Sequence, residues 1–217
     1  LAKSLVLEPE PFDVMIHDDQ PVIEGVVLTA LVGVLVGIAR VVGGLLYSWA
    51  MPPAASIETI ARNAAGMLTM GDSVITRSIA TGWQVSRLAV GYDTGWLRLF
   101  SLIWMPFLLL TQWLAAGLLV YAIGRMLGGK GTLRQLLGAC ALVAAPSLLL
   151  LIGAIPFVTI NPLLPAVWGT LILYRAAQTA HRLPWKTAAV TTVISAALLL
   201  VLGALAAAGL GALVALF

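Results

Sequence analysis

The sequence predicts an all-α fold. It is a polytopic membrane bundle of five transmembrane helices, with an amphipathic interfacial segment between spans one and two. Three observations predict it. Hydrophobic residues make up 61% of the chain, where soluble domains carry roughly 45–50%. Charged residues make up 10%, against about 25% in soluble domains. The apolar residues gather into long runs that are apolar on every face, and do not alternate as the strands of a membrane barrel would. Mean hydropathy is +1.04. A water-soluble globule of 217 residues could not hide that much apolar surface, so lipid must be its solvent.

A spanning helix takes about 20 predominantly apolar residues. Five stretches qualify: Val22–Ser48, Leu99–Ile123, Leu133–Val158, Leu163–Thr179 and Thr187–Leu216. Residues 1–21 form an acidic segment, and residues 22–217 form a single transmembrane domain. The acidic segment lacks the apolar core and cleavage site of a signal peptide. Residues 51–98 are too polar to span and too long for a simple turn. Within them Ile57, Ile60, Ala61, Ala64, Met67 and Leu68 recur at helical spacing, as do Ile75, Ile79 and Trp83. That pattern predicts one or two amphipathic helices on the bilayer surface or against the bundle. Trp83 and Trp96 are expected as interfacial anchors, since Trp prefers that depth.

Charge gives an orientation. All nine carboxylates lie at or before Asp93, and after it the charges are basic only. With five spans, one side collects Lys3, Arg125, Lys130, Arg134, Arg175, Arg182 and Lys186. The other side holds Arg62, Arg77, Arg87 and Arg98, all in the long loop. Lys and Arg in short loops set topology. The N-terminus is therefore expected in the cytoplasm and the C-terminus outside, in a prokaryotic cytoplasmic membrane. The net charge of +3 is a topology signal. Nucleic acid is not an expected partner, because no basic face gathers with interleaved aromatics.

Small residues recur every fourth position at Gly25, Thr29, Gly33 and Gly37, and again at Gly203, Ala207, Gly211 and Ala215. Such stripes let helices approach closely in lipid. They serve either packing within the bundle or docking of a partner helix or a second copy. The terminal stripe is the better docking candidate, being almost wholly Ala, Leu, Gly and Val. Pro146 lies inside the third span and predicts a kink there.

The chemistry of known active sites is missing. Intramembrane charges mark transport and proton relay, and this chain has few. Glu24 starts the first span. Arg40, late in the same span, and Arg175, near the end of the fourth, are expected to snorkel to the interface as anchors. His17 and His181 lie outside the spans, so no bis-histidine haem is expected, and a zinc ligand set is lacking. Cys140 reads as a small buried hydrophobe. Ser147 has no base at its depth. Gly124 and the pair Gly129-Lys130 have the spacing of a phosphate-cradling loop, but Gly131 stands where Ser or Thr is needed and no strand precedes it. The glycines are expected to make a tight turn, with Thr132 capping the third span. No enzyme activity and no cofactor are expected.

Two stretches carry a resemblance. One is Gly128-Gly129-Lys130-Gly131-Thr132-Leu133-Arg134-Gln135, leading into a span with Pro146 and a closing Ile155-Pro156. The other runs from Trp168 through Leu171, Leu173 and Arg175 to His181-Arg182-Leu183 and the last span. With five spans and a polar N-terminus, the chain resembles the Yip family, five-span proteins named for interacting with Ypt/Rab GTPases. The resemblance implies a non-enzymatic bundle. In eukaryotic members it implies binding of prenylated small GTPases in vesicle traffic. This chain lacks the Asp-Leu-Tyr-Gly-Pro signature of those members, so it looks more like prokaryotic relatives. The expected role is a membrane scaffold or accessory subunit. It would bind lipid and other integral membrane proteins, including a larger energy-transducing complex, or a second copy of itself. The alternatives are a small-solute transporter or channel, a trafficking adaptor, and, least favoured, a lipid-handling enzyme.

Overall fold

In the computed structural model, residues 7–50, 52, 56–60, 63, 95–155, 158, 160, 161 and 163–214 are described, with the side chains of 95–97 and 206–214 outside that description. The regular structure among the described residues is all helical, with no strand. The helices are α1 (Glu10–His17), α2 (Pro21–Ala50), α3 (Ser101–Met126), α4 (Leu133–Ala141), α5 (Leu163–His181) and α6 (Trp185–Val214). A 3-10 turn at Gly95–Phe100 leads into α3, and a 3-10 segment at Leu142–Ala154 continues α4. The interfacial segment expected over 51–98 lies almost wholly outside the described residues, including Trp83.

Among the described residues, four helices are long and apolar enough to cross a membrane: Pro21–Ala50, Arg98–Met126, Leu133–Ala154 and Trp185–Leu205. The fourth expected span forms as α5, a helix of 19 residues that is not one of those four.

The third span shows what its proline does. α4 ends at Ala141 and the 3-10 segment starts at Leu142, four residues before Pro146. A proline ring has no N–H and clashes with the carbonyl of the residue four back. The expected kink thus takes the form of a change of helix type that begins at Leu142. The start of α4 follows local chemistry. Thr132 and Gln135 cap each other reciprocally: the Gln135 amide donates to Thr132 Oγ1 at 3.4 Å, and the Thr132 amide donates to Gln135 Oε1 at 3.2 Å. This is the capping box.

The chain divides into two compact units, one of Leu1–Gly33, Pro106–Leu148 and Pro162–Phe217, the other of Val34–Met105 and Leu149–Asn161. The core of the first unit gathers Trp113 and Val120 of α3, Leu136 and Cys140 of α4, and Ile172, Ala176 and Ala180 of α5. α1 belongs to the same core. Its Phe12, Met15 and Ile16, at helical spacing, are buried, and it packs on α4 and α5. Sequence reasoning places no element in that acidic segment. Glu10 and Asp13 sit in its first turn, where the positive end of the helix dipole favours carboxylates.

The glycines of α2 are filled from within. In the first unit, a Cβ at Gly25 would lie 3.2 Å from Ala141 Cβ and from the Trp113 ring. At Gly33 it would meet Pro106, 2.8 Å from its nitrogen. In the second unit, a Cβ at Gly37 would lie 2.9 Å from the Ser101 carbonyl, and one at Gly43 would lie 2.5 Å from the Gly153 carbonyl. Trp113 adds direction to the packing, donating from Nε1 to the Leu137 carbonyl at 2.9 Å.

Two substitutions on α2 test this packing with opposite signs. Gly33→Ala puts a methyl against Pro106 backbone and should lower unfolding stability by about 1–3 kcal/mol. Thr29 is fully buried, and its hydroxyl has no hydrogen-bond partner among the described residues. Thr29→Val removes that orphan group and should raise stability, by about 1 kcal/mol. Denaturation in mild detergent reads both.

Candidate functional site

The most unusual chemistry lies where α3, α4, α5 and α6 end or begin in the first unit. α5 ends in a Schellman motif: the Leu183 amide donates to the Gln178 carbonyl at 3.2 Å, and the Arg182 amide to the Thr179 carbonyl at 3.4 Å. That motif needs a left-handed residue, and Arg182 takes the role with φ 52°. Glycine adopts this conformation freely. A residue with a side chain held there costs about 1–2 kcal/mol.

His181 precedes it and is only 1% exposed. The ring sits in a seat made by glycines. A Cβ at Gly124 would lie 2.6 Å from its Cδ2 and Nε2, and one at Gly129 would lie 2.7 Å from its Nδ1. A Cβ at Gly131 would strike the Ala180 carbonyl. Tyr121 stacks on the ring with centroids 5.9 Å apart. The Gly129 amide closes the α3 end on the Gly124 carbonyl at 2.7 Å, and Gly128 takes φ +92° to make the turn. The Lys130 amide then donates to the His181 carbonyl at 3.2 Å, which ties the two loops together.

Among the described residues no hydrogen bond of good geometry reaches either His181 ring nitrogen, although the Val120 carbonyl lies near enough to act on its charge. Burial lowers the ring's pKa, the Val120 carbonyl opposes that, and the Arg125 guanidinium adds to the lowering. The seat therefore favours the uncharged imidazole.

Arg175 does more than reach for water. Its Nε donates to the Leu7 carbonyl at 3.3 Å and its Nη1 to Gln178 Oε1 at 2.9 Å. Arg134 Nη2 donates to the Asp19 carbonyl at 3.1 Å. These two arginines hold the chain on either side of α1. Arg40 is exposed on α2. Gly25, Thr29, Gly33 and Gly37 are all buried. Gly203 is exposed, and none of the described residues lies where a Cβ would stand. The side chains of Trp96, Ala207 and Gly211, and all of Trp83 and Ala215, lie outside the described residues. Among the described residues no group of three or more His, Cys, Asp and Glu could hold a metal.

The spacing that admits His181, with loop glycines at 124, 129 and 131 before a capped helix, lies in the stretch matched by a family model. The Yip1 domain model matches residues 3–208. The chain belongs to the Yip1 domain family. With its apolar helices, this makes the Yip1 chain a membrane protein. The match begins ahead of α1 and runs into α6, so it takes in the acidic segment with the spans. No curated protein and no solved structure matches the chain.

The buried ring sets a pH dependence. An unfolded histidine titrates near pH 6.5, and the folded one below that. As pH falls through about 6.5 the unfolded chain takes the proton first, so stability is full above that value and declines below it. Thermal midpoints of the wild type should fall between pH 7 and pH 5.5. His181→Phe, which keeps the stack on Tyr121, should fall less over the same range.

Proposed function

We propose that this Yip1 chain is a non-catalytic membrane scaffold or accessory subunit. It binds other integral membrane proteins through helix faces and serves a larger assembly of a prokaryotic cytoplasmic membrane. One observation carries the choice of face. The glycines at 25, 33 and 37 on α2 are occupied by neighbouring residues of the same chain, while Gly203 on α6 has none of the described residues against it. α6 is also the least enclosed of the four apolar spans, with 22% of its window buried against 56% for Leu133–Ala154. A small-residue stripe on the span least enclosed by the described residues suits a partner helix or a second copy. The surroundings of Pro146 favour this over transport, because Leu142, Ala144 and Ala145 beside it are buried and apolar.

In this reading α5 is a fifth crossing. Its 19 residues extend about 28 Å, close to the roughly 30 Å of a hydrocarbon core. Leu163, Val167 and Leu171 on it are exposed and apolar, as a lipid-facing stripe requires. Arg175 and Gln178, which lower its hydropathy, hydrogen-bond each other at one end. Five crossings put the N-terminus and the basic loops together in the cytoplasm, by the distribution of Lys and Arg.

Two experiments test the reading. Replacing Gly203 and Gly211 with Leu should reduce co-purification of a partner, or of a differently tagged copy, from mild detergent. Unchanged recovery of both would remove the α6 interface. For topology, single cysteines at Asn161 and Lys186, in a Cys140→Ser background, should react with an impermeant thiol reagent from opposite sides. Labelling from one side would reduce the count to four.

A further inference from the structure

Two short loops join four helices at one end of the first unit: residues 127–132 between α3 and α4, and residues 182–184 between α5 and α6. The Lys130–His181 backbone hydrogen bond and the close approach of Gly131 to Ala180 make them one seam. Three of these helices belong to apolar spans, so the seam lies where the chain leaves the hydrocarbon.

The seam is cationic and partly apolar. Arg125, Lys130, Arg182 and Lys186 are all exposed. No carboxylate occurs from Arg125 to Arg134 or from His181 to Lys186. Arg134 is engaged with Asp19, and Arg125 gives one N–H to the Gly129 carbonyl at 3.2 Å, leaving the rest of its fork. Trp185 is 63% exposed, with the Lys186 ammonium 5.5 Å from its ring. Met126 is 85% exposed. Cations with adjoining Trp and long apolar side chains suit the headgroup level of a bilayer.

The distribution of charge between loops explains why cations occur here. It does not explain why one of them occupies the left-handed position of a helix end, where glycine fits without strain. A residue with a side chain held in the left-handed region points to a role for that side chain. Here the side chain is a guanidinium, and the backbone of Lys130 is hydrogen-bonded to His181, the residue before it; guanidinium and ammonium are the groups best suited to a phosphate.

We propose that this seam binds the phosphate of an anionic phospholipid headgroup, with Arg182 and Lys130 as the main contacts and Arg125 and Lys186 flanking them. His181, in its glycine seat, is a positioning residue that keeps the two loops together. The proposal does not rest on the scaffold reading, since lipid retention is measured on the isolated chain and partner recovery is not.

The test uses the full chain in mild detergent, offered equal amounts of phosphatidylglycerol and phosphatidylcholine, with bound lipid read by native mass spectrometry. Wild type should retain phosphatidylglycerol in preference. Arg182→Gly and Lys130→Gln should each lower that preference about fivefold. Arg182→Gly should also keep or raise the thermal midpoint, which separates loss of a ligand from loss of the fold. Equal retention of the two lipids by wild type would overturn the proposal, as would wild-type preference in both variants. Displacement of phosphatidylglycerol by excess glycerol phosphate would also overturn the lipid assignment and give the seam to a soluble phosphate ester.

Discussion

Helices in lipid gain little by hiding apolar surface from one another, because the solvent is as apolar as they are. Close approach of backbones must do the work that hydrophobic burial does in water. In this protein close approach is a matter of missing side chains. Gly25 admits Ala141 and Trp113, Gly33 admits Pro106, and Gly131 admits Ala180. Each of these contacts brings a helix or loop nearer than a methyl group would allow. The buried core of the first unit is accordingly rich in alanine, with Ala116, Ala139, Ala141, Ala176, Ala177 and Ala180 between a few large residues. Dispersion weakens steeply with distance, so a small radial gap at any of these points removes much of the attraction.

The same constraint explains how an acidic segment becomes part of the bundle. α1 offers Phe12, Met15 and Ile16 on one face and keeps Glu10 and Asp13 exposed on the other. Arg175 and Arg134 then fix the flanking chain through carbonyl oxygens of Leu7 and Asp19. An arginine at the end of a span can snorkel to water or satisfy backbone acceptors beside it. Here the second option gives it directed hydrogen bonds and secures a helix at the same time.

The seam around His181 connects packing to function. Glycines at 124, 129 and 131 remove the side chains that would fill the space, and the imidazole fills it, its pKa lowered by burial. The ring presses the two loops together from inside, and Lys130 and Arg182 stand outside it on adjacent backbone. An apolar role for a titratable ring and a charged role at a strained position thus occur one residue apart. The first shapes the seam, and the second gives the proposed site its charge.

What the sequence by itself determined is the all-helical class and the apolar runs that make this a membrane protein. Expected starts at Leu133 and Leu163 coincide with those of α4 and α5, and Val22–Ser48 lies within a residue or two of Pro21–Ala50. Run length and composition suffice for that, because lipid penalises any unsatisfied backbone and leaves few options beyond helices. The Thr132 cap is local as well, and so is legible. The burial of α1, the glycine seat of His181 and the turn of Arg175 toward Leu7 were decided only by tertiary structure. Each pairs residues far apart in the chain, as in the contact of Leu7 with Arg175 or Gly124 with His181. A glycine run reads equally as a turn or as a place cleared for another side chain. Only the approach of the α5 end, with its single imidazole, decides between them, since the space a glycine leaves open has no signature until something occupies it.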